Sequence, residues 1–215
     1  MTMKHTSKLL AALSLVCGSA VAGPSSNVAW DGATRTLIAG GDAGRGQQLA
    51  AQCASCHGAD GMSPTAVFPH VAGQLPGYTF KQLRDYKDGT RADNPIMRGL
   101  TAPLTDQAMA DLAAFYASKP LPAGASGDAP TLVTRGDGKR LIPACAACHA
   151  EPDFRNHHGA PKLEGQHASY FVDTMKAYGN GSRANDVYSV MRNIAKVLTD
   201  EELKNLAAYY ANPGN

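Results

Sequence analysis

Apolar and polar residues follow helical spacing in two matched pairs of stretches. Aromatic and aliphatic side chains recur every three or four positions in residues 78–86 and again in 170–178, the spacing that predicts an amphipathic helix. Two later stretches, which begin at residues 105 and 199, each carry one apolar face and predict two further helices packed on a core. No stretch requires a sheet, so the pattern predicts an all-α fold.

The starts of the two later helices are marked by capping residues. Thr105 and Thr199 are the predicted N-caps, because a threonine hydroxyl at that position accepts a hydrogen bond from the first turn of a helix. Thr199 and Glu202 also have the spacing of a capping box.

Residues 42–52 predict an additional helix, and residues 134–144 predict its partner in the second half of the chain. Gly46 and Gly138 are expected where a side chain would block the close approach of another helix. Pro143 removes a backbone donor near the end of the second of these helices, so we expect that helix to be shorter or kinked.

The chain is an internal duplication. The offset between the halves is 92 residues up to an Arg-Ala pair and 94 residues afterwards, so the second half has gained two residues in one loop. The matched pairs include Gly46 and Gly138, Cys53 and Cys145, His57 and His149, Pro69 and Pro161, Gly73-Gln74 and Gly165-Gln166, Arg91 and Arg183, and Met97 and Met191. Because a repeat of this kind fixes the architecture, we predict two tandem domains.

The predicted organisation has five parts. A signal peptide occupies residues 1–22 and a leader occupies 23–40. Domain 1 covers 41–118, a linker rich in proline, glycine and alanine covers 119–130, and domain 2 covers 131–215. Each domain is small for a self-sufficient hydrophobic core.

Residues 1–22 have the features of a secretory signal. Two lysines precede an apolar run at 9–16, and Ala-Val-Ala at 20–22 offers a cleavage site. The run is shorter than the roughly 20 residues of a permanent membrane span. Cys17 would leave with the signal. The alternative is a lipoprotein acylated at Cys17, although Val16 is bulkier than the residue such sites need.

Charge argues against one class of function. The chain has 20 basic and 18 acidic residues, and loss of Lys4 and Lys8 with the signal leaves 18 of each. A nucleic-acid partner is not expected, because no basic surplus is present to neutralise phosphates.

The chemistry is concentrated in a pentapeptide, Cys53-Ala54-Ser55-Cys56-His57, which recurs as Cys145-Ala146-Ala147-Cys148-His149. In C-x-x-C-H the two thiols capture the vinyl groups of one haem and the imidazole reaches its iron. A redox dithiol or a four-cysteine zinc site are the alternatives. The 92-residue separation and the trailing histidines favour two covalent haem c groups.

Methionine is the predicted axial ligand opposite each histidine. Met97 and Met191 are matched across the repeat and lie in predicted irregular loops, whereas Met109 and Met175 lie in helical patterns that indicate core packing. The alternative ligands are His70, His157, His158 and His167. None of them is matched across the repeat, so we expect these histidines to be solvent-exposed or bonded to haem propionates.

The mature chain resembles the cytochrome c4 family, di-haem cytochromes built from two class I cytochrome c domains. The resemblance rests on both C-x-x-C-H motifs, the Gly-Gln pairs, the paired methionines, the Leu-Thr-Asp helix starts, and Pro69 and Pro161 twelve residues after the histidines. It implies that each proline carbonyl accepts a hydrogen bond from the proximal imidazole and orients it.

The resemblance also implies a function. The expected protein is a periplasmic electron carrier without enzymatic activity, whose partners are redox proteins: a quinol-oxidising cytochrome complex as donor and a terminal oxidase as acceptor. Peripheral association with the membrane stays open.

Two alternatives remain at this point. One is a di-haem oxidoreductase of sulfur compounds or peroxide, in which one haem exchanges a ligand; His157 and His158, present only in the second half, leave it open. The other is the electron-transfer subunit of a periplasmic dehydrogenase.

Overall fold

The computed structural model describes residues 25–124, 127–150 and 160–211. The predictions made for the signal peptide, Cys17, His157 and His158 lie outside these residues. The α-helices of the described part are α1 Gly32–Ala39, α2 Ala43–Leu49, α3 Ala54–His57, α4 Pro76–Asp88, α5 Pro95–Thr101, α6 Asp106–Ala117, α7 Thr131–Thr134, α8 Ala146–His149, α9 Ala168–Asn180, α10 Val190–Ala195 and α11 Asp200–Tyr210. Short 3₁₀ helices lie at Ala50–Gln52 and Val187–Ser189.

The described part of the chain contains isolated bridges but no β-strand, which confirms the all-α prediction. Helices α4 and α9 cover the two stretches predicted from periodicity. Each of them ends at a glycine in the left-handed conformation, Gly89 with φ 76° and Gly181 with φ 80°, a common way to stop a helix because glycine adopts this conformation without steric cost.

Helices α6 and α11 begin at the predicted caps. The Thr105 hydroxyl accepts from the backbone N–H of Ala108 at 3.1 Å, and Thr199 accepts from that of Glu202 at 3.2 Å. The Glu202 carboxylate accepts in return from the Thr199 N–H at 2.9 Å, which completes the capping box. These helices bury the central apolar residues of the two domains: Met109, Leu112, Phe115 and Tyr116 in α6, and Leu203, Leu206 and Tyr210 in α11.

Helix α2 packs directly on α6, and Gly46 makes this possible. A Cβ at Gly46 would lie 2.1 Å from the carbonyl oxygen of Asp111, far inside van der Waals contact. The side chain of Asp111 reaches back to α2 and accepts from Arg45 Nε at 2.7 Å. The prediction for Gly46 is therefore confirmed.

The second half lacks the equivalent helix, so the prediction of a helix at 134–144 is wrong. The helix α7 is one turn long and ends at Thr134. A turn closed by Asp137 and Ile142 then leads to Pro143, which has no N–H to donate to a continuing helix. A Cβ at Gly138 would meet nothing within 4 Å, so the expectation of close helix approach there is also wrong.

The leader packs on domain 1. Its helix α1 begins at Asp31, whose carboxylate accepts from the Thr34 N–H at 2.8 Å, and lies against α6. The chain before it reaches α4, where the Ser26 hydroxyl donates to Asp85 at 2.6 Å.

The linker passes over the Gly-Gln pair of each domain. A Cβ at Gly73 would lie 2.6 Å from the Cα of Leu121, and one at Gly165 would lie 2.5 Å from Pro122. Both glycines also have positive φ, 66° and 73°. The close approach of the linker and the left-handed backbone therefore both favour glycine at each position. Among the described residues no helix is long and apolar enough to span a membrane.

Candidate functional site

Each C-x-x-C-H motif folds as a single helical turn, α3 and α8. The backbone N–H of His57 donates to the carbonyl of Cys53 at 3.0 Å, and His149 donates to Cys145 at 3.0 Å. Burial raises the pKa of the Cys53 thiol and that of Cys145, because a thiolate is poorly solvated there.

Both histidines are oriented by a proline carbonyl. The Nδ1 of His57 lies 2.9 Å from the carbonyl oxygen of Pro69, and that of His149 lies 2.7 Å from Pro161. As Nδ1 is the donor, Nε2 keeps its lone pair, the form in which imidazole binds a metal. Burial also lowers the pKa of His57, which favours this neutral form.

One continuous cavity of about 830 Å³ contains the motifs of both halves and both candidate methionines. Met97 and Met191 do not lie in irregular loops as expected; they lie in the first turns of α5 and α10. In domain 1 the Asn94 side chain caps α5 by accepting from the N–H of Met97 at 3.0 Å, which fixes the start of the helix that carries this methionine.

The equivalent segment of domain 2 is built differently. Here the two extra residues of the second half are accommodated in a 3₁₀ turn, and Tyr188 and Ser189 both adopt left-handed backbone conformations, with φ 56° and 59°. The Asp186 carboxylate accepts from Arg192 Nε at 2.6 Å and from the Arg192 N–H at 2.9 Å. Met191 therefore follows a strained turn held by an ion pair rather than an asparagine cap.

The cavity suits two haem groups because of the side chains that could bind them and because its lining is largely apolar. Each half supplies two thiols, one imidazole and one thioether, the donor set of a c-type haem. Much of the wall is apolar, as a porphyrin plane requires. The apolar lining residues include Phe68, Leu83, Leu100, Leu104 and Leu112 in domain 1, and Leu132, Ile142, Leu163, Phe171, Ile194 and Leu206 in domain 2.

Two buried arginines add positive charge to the cavity wall. Arg91 pairs with Asp93 at 3.1 Å, whereas the hydrogen bonds of Arg183 go to the neutral groups of Tyr78, Gln82 and Asn185. Burial raises the pKa of Tyr170, but the positive charges of Arg91 and Arg183 outweigh it and lower that pKa to about 8. A surplus of positive charge at this place fits the carboxylates of haem propionates.

A buried ion pair at the domain interface was missed by the sequence reasoning. Lys81 Nζ lies 2.5 Å from Asp85 Oδ2, with the two side chains 3% and 0% exposed. Across the interface, Asn185 donates to Asp85 at 2.7 Å, and its carbonyl accepts from Lys81 at 2.6 Å. The sequence shows the opposite charges of Lys81 and Asp85 four residues apart, a pair that the matched Asp173 and Ala177 of domain 2 do not form, but it does not show that the pair is buried.

His70 and His167 also meet at the interface. Their ring centroids are 4.0 Å apart with an interplanar angle of 32°, and the two residues are only 7% and 2% exposed. His70 Nδ1 accepts from the backbone N–H of Ser63 at 2.9 Å. Of the two roles expected for these histidines, solvent exposure is wrong, because the facing domain covers them; a bond to the haem propionates stays a prediction.

Comparison with known proteins identifies the family. Residues 43–118 and 136–212 each match the family model described as Cytochrome c. The chain is 38% identical over 187 residues to the cytochrome c4 of Pseudomonas aeruginosa, covering 83% of this chain and 92% of that protein. It is also 38% identical over 180 residues to a protein of Stutzerimonas stutzeri named thiosulfate dehydrogenase electron acceptor, covering 80% and 83%.

Solved structures agree with the sequence relatives. The crystal structure of reduced recombinant cytochrome c4 from Pseudomonas stutzeri superposes with a TM-score of 0.69 at 33% identity and covers 80% of this chain and 98% of that one. The thiosulfate dehydrogenase TsdBA from Marichromatium purpuratum gives a TM-score of 0.67 at 31% identity, covering 79% of this chain and 40% of that one.

Proposed function

The chain belongs to the cytochrome c4 family, and on this premise we propose that it is a periplasmic electron carrier of a respiratory chain. In this proposal a quinol-oxidising cytochrome complex reduces it and a terminal oxidase oxidises it. It is a c-type cytochrome with two covalently attached haem c groups, which supply a one-electron ferric–ferrous couple in each domain.

The observation that carries the proposal is the matched donor set of the two halves. His57 and Met97 line the cavity in domain 1, and His149 and Met191 line it in domain 2. These residues would hold the two irons and leave no coordination position open for substrate, so the haem groups would supply electron exchange alone. The symmetry therefore favours a carrier over a di-haem oxidoreductase, which would be expected to leave one half open.

The chain's own residues prepare both sites for electron transfer. Cys53, Cys56, Cys145 and Cys148 would hold the two haem groups covalently. The prolines fix the imidazole rings through the Nδ1 bonds, so the rings need not reorient when the charge on the iron changes. Apolar walls limit the entry of water, which reduces the solvent reorganisation that accompanies electron transfer.

A second candidate function is electron acceptor of a thiosulfate dehydrogenase. It is favoured by the relatives of that name from Stutzerimonas stutzeri and Thiomonas intermedia, 38% and 36% identical to this chain. In this role the chain would still be a carrier, but its electrons would come from a sulfur compound through a catalytic partner.

Rapid mixing of the haem-loaded protein with each partner distinguishes the two functions. Fast reduction by a quinol-oxidising complex and fast oxidation by a terminal oxidase are expected under the first proposal. Reduction that requires thiosulfate together with its dehydrogenase would support the second. Reduction by thiosulfate alone would contradict both and indicate a di-haem oxidoreductase.

The axial ligands are tested by Met97→His and Met191→His. Each variant is expected to lower the reduction potential of its own domain by on the order of 0.1 V, because axial ligands set haem potentials over roughly 0.8 V and imidazole favours ferric iron more than thioether does. The red-edge band of sulfur-to-iron charge transfer should lose about half its intensity in either variant. Met109→Leu, inside the core of α6, is the control and should leave the potentials and the band unchanged. A band that persists in full would contradict the ligand assignment.

A further inference from the structure

Two glutamine side chains join the domains in a reciprocal arrangement, which we call the amide clasp. Gln166 Oε1 accepts from the backbone N–H of His70 at 3.0 Å, and its Nε2 donates to the carbonyl of the same residue at 3.0 Å. Gln74 does the same to Lys162, with distances of 2.9 and 3.0 Å. Gln74 and Gln166 are matched across the repeat, as are His70 and Lys162, so the clasp has pseudo-twofold symmetry.

The hydrogen bond that each glutamine oxygen accepts continues to a proximal histidine through one peptide group. The N–H of His70 belongs to the same peptide unit as the carbonyl of Pro69, which accepts from His57 Nδ1 at 2.9 Å. In domain 2 the peptide unit of Pro161 and Lys162 links Gln74 to His149 Nδ1, which is 2.7 Å from the Pro161 oxygen. The histidine of each domain is thus connected to the glutamine of the other.

Hydrogen bonds within its own domain hold each glutamine in the position from which it reaches the other domain. Gln74 Oε1 also accepts from the N–H of Leu75, and Gln166 Oε1 from that of His167, both at 3.0 Å. The preceding glycines donate to the last turns of the terminal helices, Gly73 to Tyr116 and Gly165 to Tyr210, both at 2.8 Å. Side chain and backbone of each glutamine are therefore fixed from within its own domain.

Hydrogen bonds in series polarise one another. When a peptide N–H donates to a glutamine oxygen, its carbonyl becomes a stronger acceptor and draws the proton of the histidine Nδ1 more strongly. The imidazole then becomes a more basic ligand and favours the ferric state. We propose that Gln166 lowers the reduction potential of the haem in domain 1 and that Gln74 lowers that of the haem in domain 2, each acting as a positioning residue through the other domain's proximal histidine.

This inference rests on the proposed ligands His57 and His149, and it makes a crosswise prediction. In Gln166→Leu the potential of domain 1 should rise while that of domain 2 stays fixed; in Gln74→Leu the reverse should hold. The measurement is a redox titration followed by NMR, in which the haem methyl signals assign each potential to its domain. The Nδ1 proton of the affected histidine should also move upfield, since its hydrogen bond is weaker.

Two further variants separate the relay from general loosening of the interface. Ser169→Ala removes another interdomain hydrogen bond, from the Ser169 hydroxyl to the Ala66 carbonyl at 3.3 Å, and should leave both potentials unchanged. Gln166→Met keeps the length of the side chain without its amide and should reproduce Gln166→Leu if the leucine variant fails to fold.

The outcomes are distinct from those that test the proposed function. Loss of the histidine–methionine spectrum in the unmodified protein would contradict the ligand assignment. With that spectrum intact, a shift in the same domain as the substitution, equal shifts in both domains, or no shift would each overturn the relay.

Discussion

Leu141 has a backbone conformation that its side chain does not favour. Its φ is 58° and its side chain is 87% exposed, in the turn that replaces the predicted helix before the second haem motif. For an L-residue with a Cβ the left-handed conformation costs roughly 1–2 kcal/mol, and asparagine tolerates it better because its short side chain bonds locally. Within this turn the strain is therefore local to Leu141.

Leu141→Asn should accordingly raise the free energy of unfolding of domain 2 by about 0.5–1 kcal/mol. Guanidinium unfolding of the haem-loaded protein, followed by circular dichroism, measures it. The matched variant Leu141→Ala removes the same exposed side chain but does not relieve the unfavourable backbone conformation, so its free energy of unfolding should rise little. Equal stabilisation by alanine and asparagine would mean that the exposed side chain, not the backbone, is unfavourable.

At the scale of helices, the sequence predicts the helices that have a long apolar periodicity or that begin after a capping threonine. Periodicity located α4 and α9, and threonine caps located α6 and α11. The sequence predicts loops where α5 and α10 lie, because each helix has no more than seven residues, too few for a periodic pattern to emerge. Pro143 predicts a shortened or kinked helix, but the turn found in its place is joined to α11 by a tertiary contact, from Arg140 to Glu202 at 2.6 Å.

The two terminal helices allow a matched test of capping. Thr199→Ala removes a hydroxyl that belongs to a full capping box, whereas Thr105→Ala removes a cap without a reciprocal glutamate. Loss of an N-cap costs about 1 kcal/mol, with a range of roughly 0.5–2. We expect both variants to be destabilised in thermal or denaturant unfolding, with Thr199→Ala more affected. The difference is assigned to the bond from the Thr199 hydroxyl to the Glu202 carboxylate at 3.1 Å, which Thr105 lacks, and a larger loss from Thr105→Ala would contradict it.

At the scale of the whole molecule, two domains were predictable from the repeat, but the contacts between them were not. The residues of the candidate site are matched position by position, so each could be found by comparing the halves. Lys81 and Asp85 have no such counterparts, and they are buried in contact with Asn185 of the facing domain. The interface therefore combines a symmetric part, the amide clasp, with an asymmetric ion pair that sequence comparison alone could not place.

Asp85→Asn tests the ion pair. It leaves the Lys81 charge buried without its carboxylate, which typically costs about 3–5 kcal/mol, so we expect a large loss of stability in denaturant unfolding. Lys81→Met with Asp85→Leu should recover much of it, because neither charge of the pair then stays buried without its partner. Asp88→Asn is the control: it breaks an ion pair of the same spacing on α4, to Arg84 at 2.9 Å, but a partly exposed one worth less than about 1 kcal/mol. Similar losses of stability from Asp85→Asn and Asp88→Asn would contradict the claim that burial makes the Lys81–Asp85 pair costly to break.

The paired rings of His70 and His167 should make the domain interface sensitive to acid. Burial and the neighbouring His167 lower the pKa of His70 from 6.5 to about 4, and burial also lowers that of His167. Protonation of His70 at Nδ1 would break its bond from the Ser63 N–H. An unfolded chain would bind this proton near pH 6.5 and the folded protein only near pH 4, so stability should fall as the pH is lowered between these values.

Denaturant midpoints measured at pH 7 and pH 4.5 test this dependence, with a slope of at most about 1.4 kcal/mol per pH unit for one histidine. His167→Leu installs the residue that domain 1 carries at the matched position, Leu75, and removes the neighbouring imidazole. This variant should lose less stability between the two pH values than the unmodified protein, while the carboxylates common to both titrate equally. The same pH dependence in both proteins would show that the histidine pair does not control the acid response of the interface.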